Sequence, residues 1–256
     1  MTTMQDVTGV RPVVIPQEGA VLNHTHLLGI EVEMEGVGNA NSCLRHMTLW
    51  TRKEDNTLRN SGCEFVLTNP LAGLQLETAI DQYYHAQSYA SSASWDASHR
   101  CGIHVHSDVR DMTTQQYGRL LGLSILLDDY LFTFYNSSYR KGFNFCRPVE
   151  NDNRTIMLSR RLSSESSHSE VVIGSPDRAK YMSINLCRVV DLGSLEYRHF
   201  TSTLTKPQML RLCQDIQHLK SFAMLPTYAE ALAAFKQRWP DVNTPKYLLK
   251  LLGVVA

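Results

Sequence analysis

The amino-acid sequence predicts an α+β domain, and three observations lead to this fold class. Residues 28–35 alternate strictly between apolar side chains and glutamates, which is the period-two pattern of a half-buried strand. Residues 63–68 and 102–109 show the same alternation. Runs with apolar side chains at helical spacing occupy residues 71–90 and 111–136. The chain has 256 residues, of which 43% are hydrophobic, so it can bury a core without disulfides.

Local start and stop signals predict the remaining elements. Residues 180–190 and 194–201 are predicted strands, joined as a hairpin by the turn at 191–193. Thr205 is a candidate helix N-cap with Pro207 in the first turn, and further helices are predicted at 227–239 and 245–255. Residues 139–179 are polar, with a serine-rich tract at 163–169, and we interpret them as a mobile loop. The sequence thus predicts an N-terminal arm (1–25), a main domain (26–205) with a mobile serine-rich loop at 160–176, and a helical segment (206–256) packed on that domain.

Composition and charge exclude several classes of protein. The chain carries 25 Lys and Arg against 25 Asp and Glu, so it lacks the net positive charge on which general nucleic-acid binding relies. The most apolar stretch, residues 120–135, contains Asp128 and Asp129 and is too short to cross a membrane. No positively charged start with a following apolar block is present, so we expect a cytoplasmic protein without a secretion signal. The six cysteines form no Cys-x-x-Cys pair and are expected to be reduced.

The polar faces of the predicted strands carry side chains that can bind metal. They are Glu31, Glu33 and Glu35 from the first strand, Glu64 from the second, His104, His106 and Asp108 from the third, and Glu196 and Arg198 from the last. Neighbouring positions on such a face lie about 5 to 7 Å apart, so ionised carboxylates repel one another unless protons are shared or divalent cations bind. An oxygen-rich set with one or two imidazoles suits Mg²⁺ or Mn²⁺ better than Zn²⁺.

Each part of this set also has a simpler explanation. The Glu-x-Glu-x-Glu alternation is typical of the solvated face of an antiparallel sheet. His104 and His106 are compatible with solvent-facing strand positions, and Glu196 with Arg198 is compatible with a surface ion pair of little energetic value. A metal site accounts for all the strands together, whereas the simpler explanation needs a separate coincidence for each.

Five short motifs occur in a fixed order along the chain. They are Gly29-Ile30-Glu31-Val32-Glu33; Asp55-Asn56-Thr57-Leu58 with Gly62-Cys63-Glu64-Phe65; Gly102-Ile103-His104-Val105-His106; Arg178-Ala179-Lys180-Tyr181 with Asn185-Leu186; and Ser194-Leu195-Glu196-Tyr197-Arg198 with Thr203. In this order the motifs resemble the signatures of the amidoligase family. Its members belong to the carboxylate–amine ligase group and are similar to glutamate–cysteine ligase and glutamine synthetase.

The resemblance implies a fold and a reaction. The expected fold is a curved antiparallel β-sheet funnel of the glutamine synthetase catalytic type, with helices packed on the outer face, formed by the catalytic domain at 26–205. The expected reaction is an ATP-dependent, ADP-forming ligation. ATP phosphorylates a carboxylate, and an amine attacks the resulting acyl phosphate to form an isopeptide-like amide, with Mg²⁺ or Mn²⁺ bound at the sheet.

The resemblance also assigns roles to residues of this chain. The metal ligands it implies are Glu31, Glu33, Glu64, His104 and Glu196. Contacts to the ATP phosphates would come from Arg198, Arg178, Lys180 and His106. Arg198, Glu196 and Asp55 are the catalytic candidates, and Asp55 would orient or deprotonate the amine. An equally weighted interpretation is that Asp55 only stabilises the turn before the second strand.

Two other functions remain open on the sequence. The His104-Val105-His106 segment is compatible with a metal-dependent hydrolase of the amidohydrolase type, although that fold needs parallel strands alternating with helices and leaves the early glutamates unexplained. A non-catalytic, nucleotide-binding relative with a structural role is the second alternative. We expect a small-molecule or peptide carboxylate and an amine as partners, neither of which the sequence identifies. A homo-oligomer is compatible with the sequence.

Overall fold

A six-stranded antiparallel sheet forms the centre of the protein. The computed structural model describes residues 3–9, 21–36, 45–89, 97–143, 146–149, 152–163 and 180–254. The strands are β1 (Leu28–Met34), β2 (Trp50–Glu54), β3 (Cys63–Leu67), β4 (Gly102–Asp108), β5 (Ile184–Asn185) and β6 (Ser194–Thr201). Their order across the sheet is β2-β3-β1-β4-β6-β5, and every pairing between them is antiparallel. The α+β class is therefore confirmed. The sheet is open, and the funnel shape stays a prediction.

Helices cover one face of the sheet. In the described residues they are α1 (Met4–Thr8), α2 (Gly73–Tyr89), α3 (Thr114–Phe134), α4 (Asn153–Ser163), α5 (Arg188–Leu192), α6 (Lys206–Ala223), α7 (Tyr228–Arg238) and α8 (Lys246–Leu251), with a 3₁₀-helix at Ser138–Gly142. Capping boxes begin α3, α6 and α7; the N-cap of α6 is the predicted Thr205, and that of α7 is Thr227. None of the described helices is long and apolar enough to span a membrane.

The alternation of β1 sets the two faces of the sheet. Leu28, Ile30 and Val32 are completely buried in the apolar core, together with side chains of α2, α3 and α6. The glutamates between them lie on the opposite face, as the period-two pattern predicts. Helix α6, in the predicted 206–256 segment, contacts α2, α3 and β4.

Two predictions about local structure are wrong, and one strand lies outside all the predicted elements. Residues 139–179 are not entirely a loop, because they include most of the 3₁₀-helix and all of α4. Residues 160–163 of the predicted mobile loop are therefore helical. Residues 164–179 lie outside the described residues. The predicted strand at 180–190 is reduced to β5, because residues 188–192 turn into α5 before Gly193 ends that helix in a left-handed conformation. Strand β2 was not predicted, since its sequence, Trp-Thr-Arg-Lys-Glu, shows no apolar alternation.

Asp128, a buried carboxylate on α3, connects the helical layer to the edge of the sheet through hydrogen bonds. One of its oxygens accepts a hydrogen bond from the Ser183 hydroxyl at 2.6 Å and lies 2.7 Å from His199 Nε2. The other oxygen accepts the Val149 backbone N–H at 3.1 Å. The side chains of Asp128 and His199 are fully buried. Asp128 thereby holds the chain that leads into β5, next to the polar face.

Replacing Asp128 with alanine is expected to lower the free energy of unfolding by about 3–5 kcal/mol, because it leaves the buried His199 imidazole and the Ser183 hydroxyl without their acceptor. Urea denaturation followed by circular dichroism measures this change. The matched control is Asp129→Ala at the next position of the same helix. Its side chain is 64% exposed and pairs with Lys141, so its loss should cost less than about 1 kcal/mol. Equal losses in the two variants would contradict this assignment.

Candidate functional site

The pairing of β1 with its two neighbours brings four predicted ligands together. Glu33 lies opposite Glu64 on β3, and Glu31 lies opposite His104 on β4. Directly opposed residues share a face of the sheet, so all four side chains lie on the polar face. Here the carboxylates approach one another because strand pairing fixes their positions.

The pairing of β4 with β6 extends the cluster to the other side. His106 lies opposite Glu196, and the register between β4 and β6 shifts between Ile103 and Val105. His104 Nδ1 is 3.4 Å from Glu196 Oε1 and 3.3 Å from Glu31 Oε2. His106 Nε2 is 3.2 Å from Glu31 Oε1. The two imidazoles of β4 therefore lie next to carboxylates of both neighbouring strands, β1 and β6.

Glu196 is the most buried carboxylate of the cluster, at 1% exposure. Arg198 Nη1 donates to Glu196 Oε1 at 2.5 Å, and Asn185 Nδ2 on β5 donates to Oε2 at 2.5 Å. Arg188 Nε is 3.7 Å from the same Oε2. Burial alone raises the pKa of Glu196, but the charges of Arg198 and the two histidines outweigh this and lower it. Burial lowers the pKa of Arg198, and Glu196 with Glu33 raises it, with a net upward shift. This pair is therefore ionised.

The pKa values of Glu31 and Glu64 are shifted in opposite directions. Burial raises the pKa of Glu31, but the neighbouring His104 and His106 outweigh burial and bring the pKa below its ordinary value. Burial, followed by the charge of Glu31, raises the pKa of Glu64 to about 8. At neutral pH Glu31 is therefore an anion and Glu64 keeps its proton. One of two adjacent carboxylates is neutral, which relieves their repulsion.

The donor atoms fit a divalent cation. Two groups have ligand atoms within 4.8 Å of one another, Glu31 with Glu64 and His104, and Glu31 with His106 and Glu196, so Glu31 belongs to both. His104 Nε2 is buried without a hydrogen-bond partner among the described residues, and its nearest carboxylate oxygen, on Glu33, is 3.9 Å away. Two carboxylates with one imidazole form a set suited to Mg²⁺ or Mn²⁺.

A cavity of about 370 Å³ adjoins the cluster at the end of the sheet formed by Gly29 and Ser194. Glu31 and His106 form its boundary with the cluster, and Ser194 Oγ is 3.1 Å from His106 Nδ1. Its walls include the apolar side chains of Val66, Leu67, Pro70 and Leu192. Its volume lies within the range of small-molecule sites.

Four predicted site residues lie elsewhere or cannot be placed. Asp55 Oδ1 accepts hydrogen bonds from the Thr57 N–H and hydroxyl at 2.8 and 2.7 Å, which stabilises the β2–β3 turn. Lys180 is exposed, and its Nζ lies 5.7 Å from the ring centre of Tyr181. Glu35 accepts the Arg59 N–H at 2.9 Å. Arg178 lies outside the described residues.

Three residues near the cluster were missed by sequence reasoning. Asn185 and Arg188 both lie close to Glu196. In the sequence, Asn185 occurs in one of the five motifs without an assigned role, and Arg188 falls within the predicted strand at 180–190. Arg140 belongs to the segment that we interpreted as a loop. Its Nη1 donates to the Cys101 carbonyl at 2.8 Å, at the beginning of β4. The available signal for Asn185 was its polar side chain between Ile184 and Leu186 in the predicted strand.

The fold and the cluster define a class of protein, namely an α+β domain whose antiparallel sheet holds a carboxylate–imidazole site on its polar face. Residues 60–217, more than half of the chain, match the family described as "Putative amidoligase enzyme". The chain therefore belongs to this family. No curated protein matches the chain in sequence. The matched segment includes Glu64, His104 and Glu196 but begins after β1, so Glu31 and Glu33 join the site through strand pairing.

Replacing Glu64 with glutamine is expected to stabilise the metal-free protein at neutral and alkaline pH. The carboxyl has its ordinary pKa of 4.5 when unfolded and a pKa of about 8 when folded. Its contribution to stability is complete below the lower pKa and is lost as the pH rises through the higher one. Thermal unfolding in EDTA between about pH 5 and pH 9 should show a smaller decrease of Tm for Glu64→Gln than for the wild type.

Glu54→Gln serves as the control for this experiment, because Glu54 is exposed at the end of β2. That variant should follow the wild-type profile. Parallel profiles for Glu64→Gln and the wild type would show that the proton on Glu64 does not contribute to stability.

Proposed function

We propose that the protein is an ATP-dependent carboxylate–amine ligase. The observation that carries this proposal is the convergence of Glu31, Glu64, His104 and Glu196 from four strands, with Arg198 beside them, in a member of the amidoligase family. A carboxylate is a poor electrophile, so its conversion to an amide requires activation. The arrangement offers what phosphoryl transfer needs, namely ligands for divalent cations and a fixed guanidinium.

In the proposed reaction, an oxygen of the substrate carboxylate attacks the γ-phosphorus of ATP. The bond from that phosphorus to the β,γ-bridging oxygen breaks, and ADP leaves. The nitrogen of the amine then attacks the acyl carbon, the C–O bond to phosphate breaks, and the amine loses a proton. The products are an amide, ADP and phosphate, so atoms and charges balance.

The residues have separate tasks in this proposal. Glu31, Glu33, Glu64, His104 and Glu196 would hold Mg²⁺ or Mn²⁺, which would neutralise negative charge on the phosphates. Two observations support this assignment: His104 Nε2 has no hydrogen-bond partner in the described part of the chain, and Glu31 belongs to both ligand groups.

Arg198 would contact the transferring phosphoryl group, and its ion pair with Glu196 orients the guanidinium. His106, at the boundary between the cluster and the cavity, would contact the nucleotide or the acyl phosphate. The cavity would receive the organic part of one substrate. Arg178 and Lys180 as phosphate contacts, and Asp55 as the group that orients the amine, are further proposals that rest on the resemblance.

The direction of the strands in the sheet bears on the first alternative function. A hydrolase of the amidohydrolase type requires parallel strands, whereas every strand pair in the described sheet is antiparallel. A non-catalytic relative that binds nucleotide is distinguished by experiment, because ATP with Mg²⁺ would raise its Tm without any ADP release.

The test is ADP release by the purified protein with ATP, Mg²⁺ and a panel of amino acids, which supply both carboxylates and amines. We expect release that depends on Mg²⁺ and on the panel. Glu33→Gln and Arg198→Ala are each expected to lower it by about 10²-fold or more, because each removes a group that stabilises charge in the transition state.

Matched controls are available on the same elements or nearby. Glu54→Gln changes an exposed carboxylate on β2, and Arg154→Ala changes an exposed guanidinium on α4. Both should retain wild-type activity. ADP release that is unaffected by Glu33→Gln and Arg198→Ala would refute the assignment of this site.

A further inference from the structure

The polar face of β4 lacks one side chain. Gly102, His104 and His106 alternate along the strand and share this face, but Gly102 contributes no side chain of its own. A Cβ atom at Gly102 would lie 2.6 Å from Arg140 Nη2 and 3.2 Å from Glu33 Oε2. The guanidinium of Arg140 therefore occupies the position of the missing side chain, next to Glu33.

Arg140 is fixed in this position. The 3₁₀-helix Ser138–Gly142 carries it, and only 4% of the residue is exposed. Nη1 donates to the Cys101 carbonyl at 2.8 Å, and Nη2 lies 3.5 Å from the Arg198 carbonyl. Nε is buried and has no hydrogen-bond partner among the described residues.

A buried guanidinium is costly unless another charge compensates for it. Glu33 is the carboxylate that reaches the same point above Gly102, where its Oε2 also accepts the Gly102 N–H at 2.8 Å. A fixed positive charge here repels divalent cations and attracts anions, and in a partly buried site it acts over several ångströms. Arg198 places a further guanidinium near this end of the cluster.

We propose that Arg140 is a second phosphate-binding cation of the site, which takes the place of a side chain at Gly102 and works together with Arg198. This inference deepens the proposed function and rests on it. It divides the polar face into an anion-binding end, at Gly102, and a cavity end, at Gly29 and Ser194. The phosphates would lie at the first end and the organic part of a substrate at the second.

The test measures two ligands by titration calorimetry, namely Mn²⁺ alone and the non-hydrolysable ATP analogue AMP-PNP with Mg²⁺. For Arg140→Ala we expect AMP-PNP to bind about tenfold more weakly or worse, and Mn²⁺ to bind more tightly, because one positive charge is removed. Arg140→Lys retains the charge and should restore part of both effects. A residue that only supported the fold would weaken the binding of both ligands together.

Arg119→Ala is the matched control. Arg119 is also buried and also donates to backbone carbonyls, those of Ala223 and Leu225, but it lies on α3 away from the cluster. Its loss should leave both affinities at wild-type values, whatever it does to stability. Circular dichroism and the Tm of each variant show whether it is folded.

A glycine pair tests the same inference without touching an arginine. Gly102→Ala places a methyl group where Arg140 Nη2 now lies and should displace the guanidinium, with a smaller effect in the same direction as Arg140→Ala. Gly142→Ala, on the same 3₁₀-helix as Arg140, has nothing within 4 Å of the added atom and should bind both ligands like the wild type.

The outcomes separate this inference from the ligase proposal. Unchanged binding in folded Arg140→Ala, or parallel weakening of both ligands, overturns the role of Arg140 and leaves the ligase proposal standing. A wild type that binds Mn²⁺ but not AMP-PNP refutes the ligase proposal and, with it, the phosphate-binding role. A wild type that binds neither ligand overturns both.

Discussion

The structure depends on one unfavourable interaction, the electrostatic repulsion between carboxylates that lie close together on one buried face of the sheet. Four glutamates converge there, and Glu196 is 1% exposed. Hydrophobic packing on the opposite face fixes the strands, so the glutamates cannot move apart without breaking the register. Their repulsion must be offset locally, and the protein does so with imidazoles between the strands and guanidinium groups at the margin. A divalent cation bound at the proposed site would offset this repulsion further.

Protonation completes this balance in the absence of metal. Glu31 faces two imidazoles and is ionised. Glu64, on the outer side of the cluster, has a pKa of about 8 and therefore keeps its proton at neutral pH. A cation that binds between Glu31, Glu64 and His104 has to displace that proton, so its affinity rises with pH. Under the proposed metal binding, the proton on Glu64 would have two opposing effects, because it stabilises the metal-free fold and competes with a cation for the same carboxyl group.

Much of the fold and most of the cluster could be predicted from the sequence, because both follow from period-two alternation. Residues 28–35, 63–68 and 102–109 each place their apolar side chains in the core, so their polar residues must share the other face. The failures lie where the pattern is absent. Strand β2 is an edge strand with a polar sequence, and it forms because β3 offers it a partner. The predicted strand at 180–190 is reduced to Ile184–Asn185, which pairs with β6, and residues 188–190 begin α5.

Arg140 shows a different limit of sequence reasoning. Its segment has no periodicity, so nothing in the local pattern assigns the side chain to the site; its position depends on how the chain returns after α3. The partner of this residue is nevertheless visible in the sequence. A glycine on an alternating polar face contributes no side chain and often marks a place where another group approaches the backbone closely. Gly102 stands at such a position, in phase with His104 and His106, and the space that it leaves open is filled by a guanidinium from a distant segment. A glycine in phase with candidate ligands on a strand is therefore a reason to search the rest of the chain for a charged side chain that occupies its place.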